Sequence, residues 1–155
     1  SFSVKIPGFN GECKIDILVQ ALGRVNYARR IYDRKGLDEI YLGGQAIVDW
    51  DVYCMELDVL PEMKFSEKRS GAPLFLKGTF KATEKTDTFV DMRGFTNAIV
   101  YVNGFNIGRF LKRGPQYTLY LPGTLLKDEN EIVVLELDGT KKKSVALTDK
   151  AIFNC

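Results

Sequence analysis

Residues 98–123 read AIVYVNGFNIGRFLKRGPQYTLYLPG, and the order of residue types in this stretch decides the fold. Ile99, Val100, Tyr101 and Val102 are β-branched or aromatic and suit a pleated surface. Asn103-Gly104 then supplies the two left-handed positions of a tight hairpin turn. The stretch is therefore a strand, a turn and a second strand that ends at Gly108-Arg109. Gly114-Pro115 punctuates the chain again. Beyond it Tyr117, Leu119 and Leu121 alternate with Thr118 and Tyr120, as in a half-buried strand, and Pro122-Gly123 closes the segment.

The same grammar extends outward in both directions. Residues 75–82 and 87–92 carry strand patterns. Residues 132–137 form an almost continuous apolar run suited to a strand covered on both faces. LLKDENE, residues 125–131, predicts one helical turn before that run, and Asp138-Gly139 turns the chain into a last strand at 144–148. Toward the N-terminus, residues 1–20 predict a hairpin: Phe2, Val4 and Ile6 alternate, residues 7–11 turn, and Ile15, Ile17 and Val19 alternate again. Residues 39–42 predict a short strand ending at Gly43-Gly44, and residues 47–57 a strand that contains the only tryptophan, Trp50. Two segments break the pattern. Residues 21–37 lose alternation and carry Arg24, Arg29, Arg30, Arg34 and Lys35, which predicts a loop; residues 61–73 turn polar between two prolines, which predicts a surface loop. Roughly ten short strands at spacings of about 8–12 residues, with no helical period, predict an all-β fold: an antiparallel, jelly-roll-like β-sandwich.

Composition bounds the function. The chain has 155 residues, 45% of them hydrophobic, enough to bury a core. Its 22 basic and 20 acidic residues leave a formal charge of +2, so no whole-molecule field points to nucleic acid or an anionic membrane. No histidine is present, which excludes histidine-dependent triads and mixed cysteine/histidine zinc sites. Cys13, Cys54 and Cys155 are too few and too widely spaced for a disulfide framework or a metal knuckle, so neither a metal nor a cofactor is expected. No apolar run approaches the roughly 20 residues of a membrane-spanning helix. The opening Ser-Phe-Ser, without methionine or leader, predicts a piece of a longer chain.

Acidic residues are plentiful, but none stands out as a catalytic pair. Asp16, Glu39, Asp58 and Glu136 fall at polar alternates or strand ends, where a solvated face is the plain expectation. Trp50, Tyr53, Phe95, Tyr101, Phe105 and Phe110 are candidates for a sugar-stacking platform, and equally for sandwich core. Arg109 after Gly108 reads either as a site or interface arginine or as one that packs with its planar fork against loop acceptors. Lys141-Lys142-Lys143 reads as a solvated tip.

The motifs GRVNY at 23–27, DTFVDM at 87–92, VNGFNIGR at 102–109 and GPQYTLYLPG at 114–123, in this order, resemble the C-terminal all-β and galactose-binding-like region of the β-galactosidases of glycoside hydrolase family 35. The resemblance implies two parts: residues 1–46 as the end of a preceding β-domain, and residues 47–155 as the galactose-binding-like sandwich. It implies a parent that hydrolyses terminal non-reducing β-D-galactosyl residues with retention and without metal. The catalytic carboxylates of such a parent sit on a (β/α)₈ barrel of about 250 residues, so this region itself is expected to be non-catalytic. The barrel of the same chain becomes its partner. Carried over by motif, Tyr27 helps wall the substrate pocket of the intact parent, with Arg24 and Asn26 holding the loop; Trp50, Tyr53 and Arg109 are possible sugar contacts or interface residues. Phe95, Tyr101 and Phe110-Leu111 stand where relatives commonly carry tryptophan, which implies galactoside binding that is millimolar or weaker. An independent carbohydrate-binding module and a structural or oligomerisation module are the alternative readings.

Overall fold

The computed structural model describes residues 3–8, 10–21, 23, 26–32, 35–67 and 71–153. It divides into two compact units, Ser1–Tyr53 and Cys54–Cys155. Among its described residues the first unit contains one hairpin, β1 (Tyr41–Leu42) and β2 (Gln45–Ala46), turned by Gly43 and Gly44 at φ 58° and 86°. That is where the sequence places a strand ending in a glycine turn. Residues 29–32 form a single 3₁₀ turn within the expected loop.

Two expectations for the N-terminal third are corrected. Residues 3–8 and 10–20 carry no strand in place of the expected hairpin, and residues 47–57 carry none around Trp50. Alternation supplies an apolar edge, but a strand needs a partner and a sheet over which to bury that edge; an isolated two-stranded hairpin is marginal in water. Here Val4 is 73% exposed, and Ile17, Leu18 and Val19 are exposed as well.

The second unit is the predicted sandwich. Its strands are β3 (Leu74–Lys81), β4 (Thr88–Asp91), β5 (Asn97–Val102), β6 (Phe105–Leu111), β7 (Thr118–Leu121), β8 (Glu129–Glu136) and β9 (Ala146–Thr148). They form a four-stranded sheet in the order β3-β8-β5-β6 and a three-stranded sheet β7-β4-β9, with every pairing antiparallel. Val90, Met92, Leu119 and Leu121 of the smaller sheet's side meet Ala98, Val100, Val102, Phe110, Ile132 and Val134 in one core. No α-helix occurs among the described residues.

The apolar run at 132–137 behaves as its composition predicts. Ile132 and Val134 face the core, while Val133 and Leu135 alternate to the outer face and are nevertheless buried. The segment before β3 crosses that outer face: the Tyr101 hydroxyl donates to the Leu57 carbonyl at 2.6 Å, and Lys77 Nζ stands 5.5 Å from the centre of the Phe65 ring. Leu57, Leu60 and Met63 are half-buried along it. Full burial is worth about 1.5–3 kcal/mol per large aliphatic side chain and half-burial a fraction of that, so this irregular strap adds stability to the sheet it covers.

Three further points differ from expectation. The helical turn falls earlier than LLKDENE, as a 3₁₀ turn at Gly123–Leu125, because Asn130 closes 127–130 as a loop and residues 129–131 already pair in β8. Gly108-Arg109 lies within β6 rather than at a strand end, because a bulge between Val100 and Tyr101 lets the pairing continue, with Gly108 at φ 133°. Glu136 is not on a solvated face: it is wholly buried, and the donors that make this tolerable come from residues 96, 97 and 138.

Candidate functional site

In the first unit the expected loop carries its aromatics in water. Tyr27 is 82% exposed and Tyr32 87%, on either side of Ala28, whose φ of 72° turns the chain into the 3₁₀ segment. Asn26 is exposed beside Tyr27, and Arg24 lies outside the described residues. Trp50 is half-buried, with its indole N–H donating to the Ile47 carbonyl at 3.0 Å, while Tyr53 is 85% exposed. Of the sequence candidates, then, Asn26 and Tyr27 share one loop, and Tyr27 and Tyr53 offer open aromatic surface.

Arg109 belongs to the second unit. It sits opposite Ile99 in the β5–β6 pairing and reaches Asn97 Oδ1 at 3.5 Å through Nη2. Its Nε is buried without a partner among the described residues. Phe95, Tyr101 and Phe110 are buried, which makes them core, whereas Phe105, the first residue past the Asn103-Gly104 turn, is 57% exposed.

The β5–β6 turn is held from several sides. Asn103, at φ 52°, donates through Nδ2 to the Leu125 carbonyl (2.7 Å) and to Asn130 Oδ1 (2.9 Å), and its Oδ1 accepts from Glu131 N–H (3.0 Å). Asn106 Oδ1 accepts from Gly108 N–H at 2.9 Å, at the bulge. Beside this turn the strap leaves an open groove of about 690 Å³, lined by Glu56, Leu57, Asp58, Gly104, Phe105 and Asn106. Burial pushes the Tyr101 phenol above its ordinary pKa, and the negative charge of Asp58 nearby pushes the same way. Glu56, Asp58 and Asn106 were not singled out by sequence for this purpose. The one available signal is Phe105, an apolar residue at a hairpin tip, where no sheet face awaits it.

Two partnered carboxylates hold turns in the sandwich. Asp87 accepts from Gly123 N–H (2.9 Å) and the Tyr120 hydroxyl (2.7 Å), and Asp91 is gripped by the Arg93 guanidinium (2.6 Å); these contacts hold both carboxyls below the ordinary range. Cys13 and Cys54 are exposed free thiols.

Comparison with known proteins bears directly on this arrangement. Residues 1–56 match the family model described as the first all-beta domain of beta-galactosidase, and residues 73–131 match the one described as its galactose-binding domain. The chain belongs to the β-galactosidase family. It is 35% identical over 155 residues to the mouse beta-galactosidase-1-like protein, covering 91% of this chain and 24% of that protein. It is 36% identical over 124 residues to the beta-galactosidase of Xanthomonas manihotis, covering 78% of this chain and 20% of that protein. With the bovine beta-galactosidase the identity is 31% over 172 residues, covering 90% of this chain and 26% of that enzyme. The chain thus spans about a quarter of the length of these relatives, over non-catalytic all-β domains of the β-galactosidase architecture. Residues 57–72, most of the strap, lie between the two matched domains.

Proposed function

We propose that this chain is the part of a β-galactosidase that buttresses the catalytic barrel and lends a loop to its substrate pocket, the parent hydrolysing terminal non-reducing β-D-galactosyl residues. The observation that carries this reading is Tyr27. A tyrosine that is 82% exposed, beside an exposed Asn26 and on a loop within the matched first all-beta domain, leaves its ring open and so supports a contact role for the loop. Arg24 and Asn26 hold the loop in this proposal, and Trp50, Tyr53 and Arg109 are kept as possible sugar or interface contacts. The proposed organisation is a preceding β-domain ending at residue 46 and a sandwich region from residue 47; the division between compact units after Tyr53 falls in the strandless connection that follows.

In this reading chemistry is supplied by the barrel, and the isolated chain does not cleave a chromogenic β-galactoside, because no facing carboxylate pair is assigned to it. In the intact parent, Tyr27→Ala lowers kcat/KM through lost contact area, whereas Tyr27→Phe changes little. Unchanged kinetics and thermal stability in Tyr27→Ala would remove the docking role from this loop.

A further inference from the structure

We propose that Asn10 is a site of spontaneous covalent modification, at which the Gly11 backbone nitrogen closes on the Asn10 carboxamide and the asparagine becomes aspartate and isoaspartate, while the same dipeptide at Asn103-Gly104 is locked by the fold. The chain carries Asn-Gly twice, at 10–11 and at 103–104. In this dipeptide no side chain shields the attacking nitrogen, and the permissive glycine backbone lets that nitrogen meet the preceding side chain. The Gly11 nitrogen gives up its proton and bonds to Asn10 Cγ, the Cγ–Nδ2 bond breaks, and the Nδ2 group leaves as ammonia with that proton. Water then opens the succinimide ring at either of its two carbonyls. The sum is one water consumed and one ammonia released. Opening at Cγ gives aspartate; opening at the main-chain carbonyl gives isoaspartate, which routes the backbone through the former side chain.

The structure separates the two copies of the dipeptide. Asn10 and Gly11 are exposed and lie in a bend of a segment without strand, with Gly11 at φ 97°. The Asn10 carboxamide bonds to no described residue, and nothing stands within 4 Å of where a Cβ on Gly11 would lie, so the side chain is able to swing onto the Gly11 nitrogen and the ring has space to form. At residue 103 the same atoms are engaged. Asn103 Nδ2, the leaving group, donates to the Leu125 carbonyl (2.7 Å) and to Asn130 Oδ1 (2.9 Å), while Oδ1 accepts from Glu131 N–H (3.0 Å). The Asn103 backbone N–H donates in turn to the Glu131 carbonyl at 2.9 Å. Cγ is therefore held against β8 and the loop before it, and ring closure at 103 waits on local opening of the hairpin. Exposure does not make this distinction, since Gly104 is exposed as well. The inference does not depend on the docking of the Tyr27 loop.

The test is ageing of the full chain at mildly alkaline pH, once folded and once in concentrated urea, followed by tryptic digestion and mass spectrometry. Cleavage after Lys5 and Lys14 gives peptide 6–14, and cleavage after Arg93 and Arg109 gives peptide 94–109, so one digest reads both asparagines. In the folded chain, Asn10 is expected to show the mass gain of amide-to-acid exchange roughly tenfold faster than Asn103, or more, since one ordinary hydrogen bond supplies up to about that factor and three must open. In urea the two rates converge. Gly11→Ala, whose methyl crowds the nucleophile but meets no neighbour in the fold, slows the reaction at Asn10 several-fold and leaves Asn103 as it was. Equal rates in the folded chain, a difference that persists in urea, or a Gly11→Ala chain that ages like the unsubstituted one would overturn the assignment.

Discussion

The Glu136 carboxylate, fully out of contact with water, accepts from three backbone N–H groups, those of Thr96 (3.1 Å), Asn97 (3.2 Å) and Asp138 (3.2 Å), and from the Thr96 hydroxyl (2.7 Å). It therefore joins the start of β5 to the end of β8 and to the turn that follows. Glu136→Ala leaves those donors unpaired in the interior and is expected to cost about 3–5 kcal/mol in urea denaturation. Glu131→Ala, which breaks the half-exposed ion pair with Lys77, is expected to cost within about 1 kcal/mol. The sequence shows two similar glutamates five residues apart, and nothing local separates them. What separates them is that Thr96, 40 positions away, arrives over one and water over the other. Two aspartates contribute acid sensitivity. Hydrogen bonds from Gly123 and Tyr120 to Asp87, and from Arg93 to Asp91, lower both folded pKa values below their unfolded values. A depressed carboxyl contributes stability that is fully present above the unfolded value of about 3.9 and is lost as pH falls through the folded pKa. Unfolding midpoints measured down from neutral pH should therefore drop in the acid range, and Asp87→Asn with Asp91→Asn should flatten that drop.

Among the elements, the β5–β6 hairpin was legible down to its turn, because Asn-Gly is a local code: both residues take positive φ, 52° and 82°. Its bulge was not, since Gly108 signals a permissive backbone without saying which strand partner is skipped. The turn also does more than reverse the chain. The Asn103 amide bridges to Leu125, Asn130 and Glu131, so Asn103→Ala is expected to lose about 2–3 kcal/mol, more than Gly104→Ala, which costs about 1 kcal/mol for the backbone alone. Chemical denaturation of the pair decides this; equal losses would mean that the side-chain bridges contribute little. Gly123 gives a steric counterpart, because a Cβ there collides with the Lys85 carbonyl oxygen and the adjacent backbone. Gly123→Ala should destabilise the smaller sheet through Asp87, whose bond to Gly123 N–H is displaced.

For the whole molecule, stability is concentrated in the second unit. Strands β5 and β8 lie side by side inside the four-stranded sheet, bonded on both edges, and should show the slowest amide exchange; residues 10–21, which have no strand partner, should exchange fastest. Comparable protection in the two regions would contradict this distribution. By itself the sequence determined the all-β class, the family, the strands from residue 74 onward and the turn residues between them. Those rest on period-two alternation and on glycine, asparagine and proline chemistry, which act within a few neighbours. Only the tertiary structure decided that residues 3–8 and 10–20 form no hairpin, that Glu136 is interior, that the segment after Leu57 covers a sheet, and that Asp58 and Phe105 share a groove. Each of these depends on which distant backbone or side chain arrives to bury or bond a group, and alternation states which residues want a partner without stating whether one comes.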